Sequence, residues 1–294
     1  MFLRVDGTID HRIMQIDAHD DGLNSWSMRR VAPPAHLAGL IRGYTDYDEC
    51  TGGFTTRREL PHGEGVLIFN LGEPIAIIAG DGRELCVGTS QAFVAGFHLR
   101  PALSVSSGSQ RGIEIDLPLT SLRRLLGLPM DILRDGAVNI DGILGQEAER
   151  LGAKLADAPT LAARIRLIDR FLIHRFATTS ALAEAQIAAL RMLASPENDI
   201  MEVACAIGWS RKHLANRVRD IVGVGPRSFR RVLRFQRAVA MITPAYAPNW
   251  AGLAIDAGYY DQSHLIREFG ELAEMTPTDY LARMMPNGGG LIEA

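Results

Sequence analysis

The 294 residues predict an α+β protein with a β-rich amino-terminal domain, a helical connector and an all-α carboxy-terminal domain. Three observations carry this. Short apolar runs separated by glycine clusters fill the chain up to about residue 118. Apolar residues at helical spacing begin at Pro118. The last hundred residues contain an internal repeat. The boundaries expected from these shifts are 1–118 for a β-rich domain, 119–180 for the connector, 181–286 for the helical domain and 287–294 for a flexible tail.

In the first part, the runs 40–46, 66–69, 75–79, 85–87, 92–95 and 112–117 are strand-sized. Thr51-Gly-Gly, Gly63-Glu-Gly, Gly80-Asp-Gly and Ser107-Gly-Ser punctuate them. Several short strands at regular spacing suggest an antiparallel sandwich or barrel. Asp81-Gly82 between two runs is a hairpin signal. After Pro118 the period changes: Leu119, Leu122, Leu125 and Leu126 recur at helical spacing. Between 143 and 176 a 3.6-residue period is broken at Ala158-Pro159, and Leu161, Ile165, Ile168, Leu172 and Phe176 form one stripe. That stripe suits a dimer interface or packing on the chain's own domain equally well.

The repeat occupies the third part. Val203-Ala-Cys-Ala-Ile-Gly208 returns as Leu253-Ala-Ile-Asp-Ala-Gly258, and His213-Leu214, Val218, Pro226 and Phe229 return as His264-Leu265, Phe269, Pro277 and Tyr280. Each copy reads as helix–turn–helix. Asp199 with Glu202 forms a capping box, Gly208 ends the first helix and Ser210 caps the second. Asn249, Gly258 and Asp261 repeat this in the second copy. Leu214, Val218 and Ile221, and likewise Leu265, Phe269 and Leu272, then point inward. Cys205 is expected in the core, and Trp209, Tyr259, Tyr260, His213 and His264 as packing residues beside the turns.

Net charge is −3, which announces no nucleic-acid binder, but its distribution does. Between Trp209 and Ala240 nine basic residues face one acid, Asp220, a local excess of eight. Local clusters outweigh the whole-chain sum because salt screens beyond about 8–10 Å. The outer faces of the two second helices leave Arg211, Lys212, Ala215 and Asn216, and Gln262, Ser263, Ile266 and Arg267, as base-contact candidates. Ser210, Arg219, Arg227, Arg230, Arg231 and Arg234 are the phosphate candidates. The last four share one face of a helix that Pro226 starts, with no compensating acid in that stretch. Val232, Leu233, Val239 and Ile242 on the opposite face pack the two copies onto one rod.

Residues 257–269 (AGYYDQSHLIREF) and 275–280 (MTPTDY) resemble the signature of the AraC-type transcriptional regulators, and the likeness extends over roughly 185–285. Asn216 stands where that family usually has Arg, Arg217 where it has an apolar residue and Val218 where it has Phe, so the base preference of the first unit does not transfer. Residues 57–63 (RRELPHG), 67–72 (LIFNLG) and 95–98 (AGFH) resemble an amino-terminal domain of some of these regulators. That resemblance implies a cupin-like β-sensor. Together they imply a sequence-specific regulator on double-stranded DNA responding to a small-molecule effector, with RNA polymerase and a second copy of the chain as further candidate partners.

Other classes find less support. Apolar residues are 47% and charged residues 22%, ordinary for a globular chain. No run reaches the roughly 18–20 residues of a membrane span, and the start lacks a signal-peptide core. Cys50, Cys86 and Cys205 form no disulfide framework, so reduced thiols in a cytoplasm are expected. A cupin-like metal-dependent enzyme fused to a helical DNA-binding domain would need paired histidines. The eight here are scattered, and the nearest approaches are His62-Gly-Glu64 and His19-Asp20-Asp21, the latter in a stretch, 18–22, that reads as a loop. No hydrolase elbow, P-loop or dinucleotide fingerprint is present. No catalytic residue, metal ligand or cofactor is therefore nominated. A purely protein-binding helical module is disfavoured by the basic outer faces.

Overall fold

The computed structural model describes residues 10–52, 55–242, 249–284 and 291. The β-rich part contains β1 (Ile13–Asp20), β2 (Asn24–Val31), β3 (Gly43–Thr51), β4 (Thr56–Glu59), β5 (Gly65–Asn70), β6 (Ile75–Ile78), β7 (Glu84–Val87), β8 (Ala92–Ala95), β9 (Ala102–Val105), β10 (Ser109–Leu117) and β11 (Ala137–Asn139). They form a seven-stranded sheet in the order β1-β2-β3-β10-β5-β8-β11 and a four-stranded sheet in the order β4-β9-β6-β7. Neighbouring strands pair antiparallel throughout.

The two-residue side-chain period of a strand gives the large sheet two different faces. On β5, Leu67 and Phe69 join the main core, whereas Val66 and Ile68 face a cavity. On β10, Ile113, Ile115 and Leu117 are fully buried, whereas Glu114 and Asp116 face that cavity.

The runs read from sequence all contain strands, although the run from 40 becomes β3 at 43–51. The Asp81-Gly82 hairpin is present: Gly82 takes φ 84° and the Ala79 N–H donates to the Arg83 carbonyl at 2.8 Å. Strands β1, β2, β4, β9 and β11 lie outside those runs. Residues 18–22 are not simply a loop: 18–20 close β1, and Asp21-Gly22 turns into β2. The Asp21 carboxylate accepts the N–H groups of Leu23 and Asn24 at 2.9 and 2.7 Å, and Gly22 takes φ 83°. His19 stacks on Trp26, so the His19-Asp20-Asp21 cluster builds a hairpin end.

Helices α1 (Leu119–Leu126), α2 (Asp141–Leu144), α3 (Gln146–Asp157) and α4 (Leu161–Thr178) cover the other face of the large sheet. Ile165, Ile168, Leu172 and Phe176 are buried in one cluster with Leu67, Val94 and Ile113. This decides the open choice for that stripe: it packs on its own sheet and is not available as a dimer interface. A buried polar knot reinforces the seat. Asp169 of α4 accepts from Tyr44 of β3 and from Arg12 at 2.9 Å.

The remaining helices are α5 (Glu184–Ala194), α6 (Ile200–Ala206), α7 (Arg211–Val222), α8 (Pro226–Met241), α9 (Trp250–Ala257), α10 (Gln262–Ala273) and α11 (Pro277–Arg283). Helix α8, about 24 Å long at 1.5 Å per residue, runs through a core that both repeats share. Its Phe229, Val232, Phe235 and Ala238 are buried with Leu214, Val218, Leu265 and Phe269. Residues 286–290, expected to fray, lie outside the described residues. Leu291 corrects the expected tail at its own position: it is buried, and its carbonyl accepts the Arg58 N–H at 2.9 Å. Among the described residues no helix is long and apolar enough to cross a membrane.

Candidate functional site

Each helix pair is fixed at its ends by the side chains expected. Asp199 and Glu202 form the capping box of α6, and Gly208 follows with φ 70°. The Ser210 hydroxyl accepts the His213 N–H at 3.1 Å and starts α7. Asn249 caps α9, Gly258 closes it with φ 92°, and Asp261 accepts the His264 N–H at 2.7 Å to start α10. The inward stripes lock α7 and α10 into the core, so their opposite faces are presented to solvent. Arg211, Lys212, Asn216 and Arg219 are exposed on α7, and Ala215 is half-buried. Gln262, Ser263, Ile266 and Arg267 are exposed on α10. The positive ends of the two helix dipoles lie at the caps, a favourable setting for phosphate.

The arginine face of α8 differs from its sequence reading. It lacks an acid within its own stretch, but the tertiary fold supplies two. Arg231 pairs with Glu271 and lies 3.5 Å from Glu268, and Arg234 pairs with Glu268 at 2.6 Å. Both glutamates belong to α10, and Glu268 is buried. The Arg234 guanidinium also sits 5.0 Å from the centre of the Tyr259 ring. Arg231 and Arg234 therefore staple α8 to α10, and the expectation of an uncompensated phosphate face does not hold for them. Arg230 donates to the Pro196 carbonyl at 3.0 Å, beyond the end of α5. Of the four, Arg227 is the one that is exposed.

Beside the turns, His213 meets Trp209 edge to face and His264 meets Tyr259 in the same way, as packing residues would. Tyr260 departs from that expectation, with 86% of its surface exposed at the start of α10. Cys205 is exposed, not in the core, because the buried face of α6 is formed by Val203 and Ala204.

The second feature is a cavity of about 400 Å³ between the two sheets. Sequence reading proposed no residue for it. Arg57 and Glu59 of β4 face Glu49 of β3 and Glu114 and Asp116 of β10. Ile75 and Ile77 of β6 face Ile68 of β5 and Phe93 of β8, closing the other end. Burial pushes the Glu114 carboxyl up to about 8, with neighbouring Asp116 and Glu59 adding to the shift. Burial also raises Glu59 and Asp116. His62 and His98 meet edge to face in the wall, and burial lowers His62 to about 4 and lowers His98 as well. Both are neutral at ordinary pH. Among the described residues no group of three or more His, Cys, Asp or Glu is placed to hold a metal ion.

The loops that carry these histidines touch the helical part on their other side. Next to His62, the Gly63 N–H donates to the Gln236 side chain of α8 at 2.9 Å. A Cβ at Gly63 would come within 2.4 Å of Leu233. Next to His98, Phe97 packs against Phe229 of α8, with ring centres 5.7 Å apart. The cavity wall and the rod between the repeats are thus two sides of the same short segments.

Residues 203–283 match the family model described as a helix-turn-helix domain. No curated protein matches the chain. Among solved structures, the chain is similar to ToxT from Vibrio cholerae O395, at 11% identity and a TM-score of 0.44, covering 78% of this chain and 96% of that one. Unsaturated fatty acid-bound wild-type ToxT from Vibrio cholerae strain SCE256 is 10% identical with a TM-score of 0.46, covering 82% and 96%. The DNA-binding domain of AdpA, in complex with a target DNA, is 21% identical with a TM-score of 0.29, covering 34% and 87%.

Proposed function

We propose that the chain, whose residues 203–283 match a helix-turn-helix domain, is an AraC-type sequence-specific DNA-binding transcriptional regulator whose β-rich half holds a small-molecule effector. In this reading 1–118 senses, 119–180 connects and 181–286 binds double-stranded DNA. The observation that carries it is the pair of capped helices α7 and α10, which are locked inward by apolar stripes and present polar and basic side chains outward. Their outer faces suit the major groove, with Lys212, Asn216, Gln262 and Arg267 reading base edges and Ile266 meeting a thymine methyl. Arg219 and Arg227 suit phosphates. The cavity suits an effector because it lies between two sheets, is partly apolar and is lined by a few converging polar groups.

Gln262 provides the sharpest test. Asp261, not Gln262, accepts the capping hydrogen bond of α10, so Gln262 is free of that duty. Gln262→Ala should leave the melting temperature unchanged and cost about 1–3 kcal/mol on the preferred site, relaxing preference at one base pair. The readouts are a salt-controlled gel shift, a selected-site library and a thermal melt on the same variant. Loss of binding to all sequences alike, or a lowered melting temperature with unchanged preference, would remove Gln262 from base readout. Footprinting on the selected site should give two protected major-groove segments about 10 bp apart per chain.

A further inference from the structure

The cavity between the sheets is graded from one end to the other. Across the large sheet the strands run β3, β10, β5, β8. Their cavity-facing residues pass from Glu49 through Glu114 and Asp116 to Ile68 and then Phe93. The small sheet repeats the gradient in the same direction, from Glu59 on β4 to Ile75 and Ile77 on β6. Two contacts fix this alignment. Arg57 of β4 pairs with Glu49 of β3 at the polar end. Ile75 and Ile77 of β6 cluster with Phe93 and Ile68 at the apolar end.

The polar end is short of positive charge. Of the three arginines in the lining, Arg57 is engaged by Glu49, Arg30 lies 3.6 Å from Asp17 of β1 as well as near Glu114, and Arg100 donates to the Gly80 carbonyl at 3.4 Å. His62 and His98 are neutral. Glu59 lines the cavity with part of its surface exposed. Its carboxylate has no hydrogen-bond partner among the described residues. Glu114 and Asp116, neighbours on one face of β10, share a hydrogen bond and repel each other once both are ionised. Carboxylates crowded together in a buried wall are costly, and a bound cation would relieve that cost. Burial raises all three carboxyls, and like charges raise Glu59 and Glu114 further.

We propose that this cavity binds an amphipathic organic cation, with an ammonium or guanidinium head among Glu59, Glu114 and Asp116 and an apolar body against Ile68, Ile75, Ile77 and Phe93. The body spans the distance from β10 to β8, two strand spacings or about 10 Å. Carboxylates at one end and isoleucines at the other select against fatty acids and other anions, whose heads would meet three carboxylates. The proposal rests on the reading of the cavity as the effector site.

Three probes of matched shape test it on the full chain: 4-phenylbutylamine, 4-phenylbutanol and 4-phenylbutyrate, followed by calorimetric titration and thermal melting. The amine should bind and raise the melting temperature, the alcohol should bind at least tenfold more weakly, and the carboxylate should not bind. Glu59→Gln and Glu114→Gln should each weaken the amine about tenfold. Both variants should melt at or above the unliganded wild type at pH 8, since each loses a repelled charge, so weak binding is not misread as misfolding. Tighter binding of the carboxylate, equal binding of amine and alcohol, no binding of any probe, or full amine affinity in both variants would overturn the ligand class. A gel shift on the same samples separates the two readings. Amine binding without any change in DNA affinity would preserve the ligand class and remove the effector role. DNA binding altered by the carboxylate alone would do the reverse.

Discussion

The arginines of α8 divide into two groups that one sequence pattern cannot distinguish. Arg231 and Arg234 reach Glu268 and Glu271, while Arg227 faces solvent. Arg231→Ala or Arg234→Ala should therefore act on stability. Arg234→Ala loses a charge-assisted hydrogen bond to buried Glu268, worth about 1.5–3 kcal/mol; Arg231→Ala, whose partner Glu271 is exposed, loses less, and denaturant unfolding should report both losses. The dependence of DNA affinity on salt should stay as in the wild type. Arg227→Ala should do the opposite, leaving stability alone and reducing the slope of log K against log salt by about one. A salt-slope change in Arg231→Ala with unaltered stability would return Arg231 to the phosphate set. Glu114 supplies a pH signature at the same scale. Its carboxyl titrates near 4.5 in an open chain and near 8 in the fold, so the folded state holds the proton more tightly. The stability this group contributes is complete below about 4.5 and is lost as pH rises through about 8. Glu114→Gln should flatten that decline in melting temperature between pH 5 and 8.5. An unchanged profile would mean that Glu114 is ionised without cost.

Among elements, α3 shows how a single atom decides a helix's seat. Gly152 lies inside it, and a Cβ there would fall 1.9 Å from the Ser90 carbonyl oxygen in the turn between β7 and β8. Helix propensity alone favours Ala over Gly by about 1 kcal/mol. Overpacking against backbone costs typically 1–3 kcal/mol and opposes it. At this distance the clash wins, because a turn carbonyl cannot rotate away as a long side chain does. Gly152→Ala should lower the denaturation midpoint, whereas Gly142→Ala on α2, where nothing lies within 4 Å, should not. Stabilisation by Gly152→Ala would show that α3 can lift from the turn at little cost.

At the scale of the whole molecule, the β-rich and helical halves share a boundary of mixed chemistry. Phe97 and Leu119 belong to the core of the helical half. Arg123 of α1 pairs with Asp220 of α7 at 3.3 Å, and Arg58 of β4 pairs with Glu274 after α10 at 3.1 Å. Gly223, at the end of α7 with φ 87°, comes so close to the Met130 carbonyl that a Cβ would sit 2.7 Å from it. Both repeats are thus held against the β-rich side, and the cavity loops press on α8 between them through Gly63 and Phe97. The wild-type chain should melt in one calorimetric transition. Phe97→Ala, which removes a buried aromatic worth about 3–5 kcal/mol, should split it into two, and Gln236→Ala should narrow the gap between coupled and independent melting by less. A single transition in Phe97→Ala at lower temperature would place the coupling elsewhere along the boundary.

By itself the sequence determined every feature that depends on neighbours along the chain. Caps at Asp199, Ser210, Asn249 and Asp261, the glycine stops at 208 and 258, the start of α8 at Pro226 and the inward stripes of α7 and α10 are local, since each depends on residues within one or two helical turns. The strands β5, β8 and β10 were legible for the same reason, through their apolar runs. Strands β1, β2 and β4 were not, because edge and polar strands carry no such run, and sheet pairing supplies what their composition lacks. Tertiary structure alone decided the rest. It brought Glu268 and Glu271 to the arginines of α8 and turned the α4 stripe onto its own sheet. It also closed a second sheet over Glu114 and Asp116, whose alternation along β10 would equally suit a face open to water. Charges, burial and ligand sites are set by what lies across space, and chains distant in sequence meet only once the sheets and helices have packed.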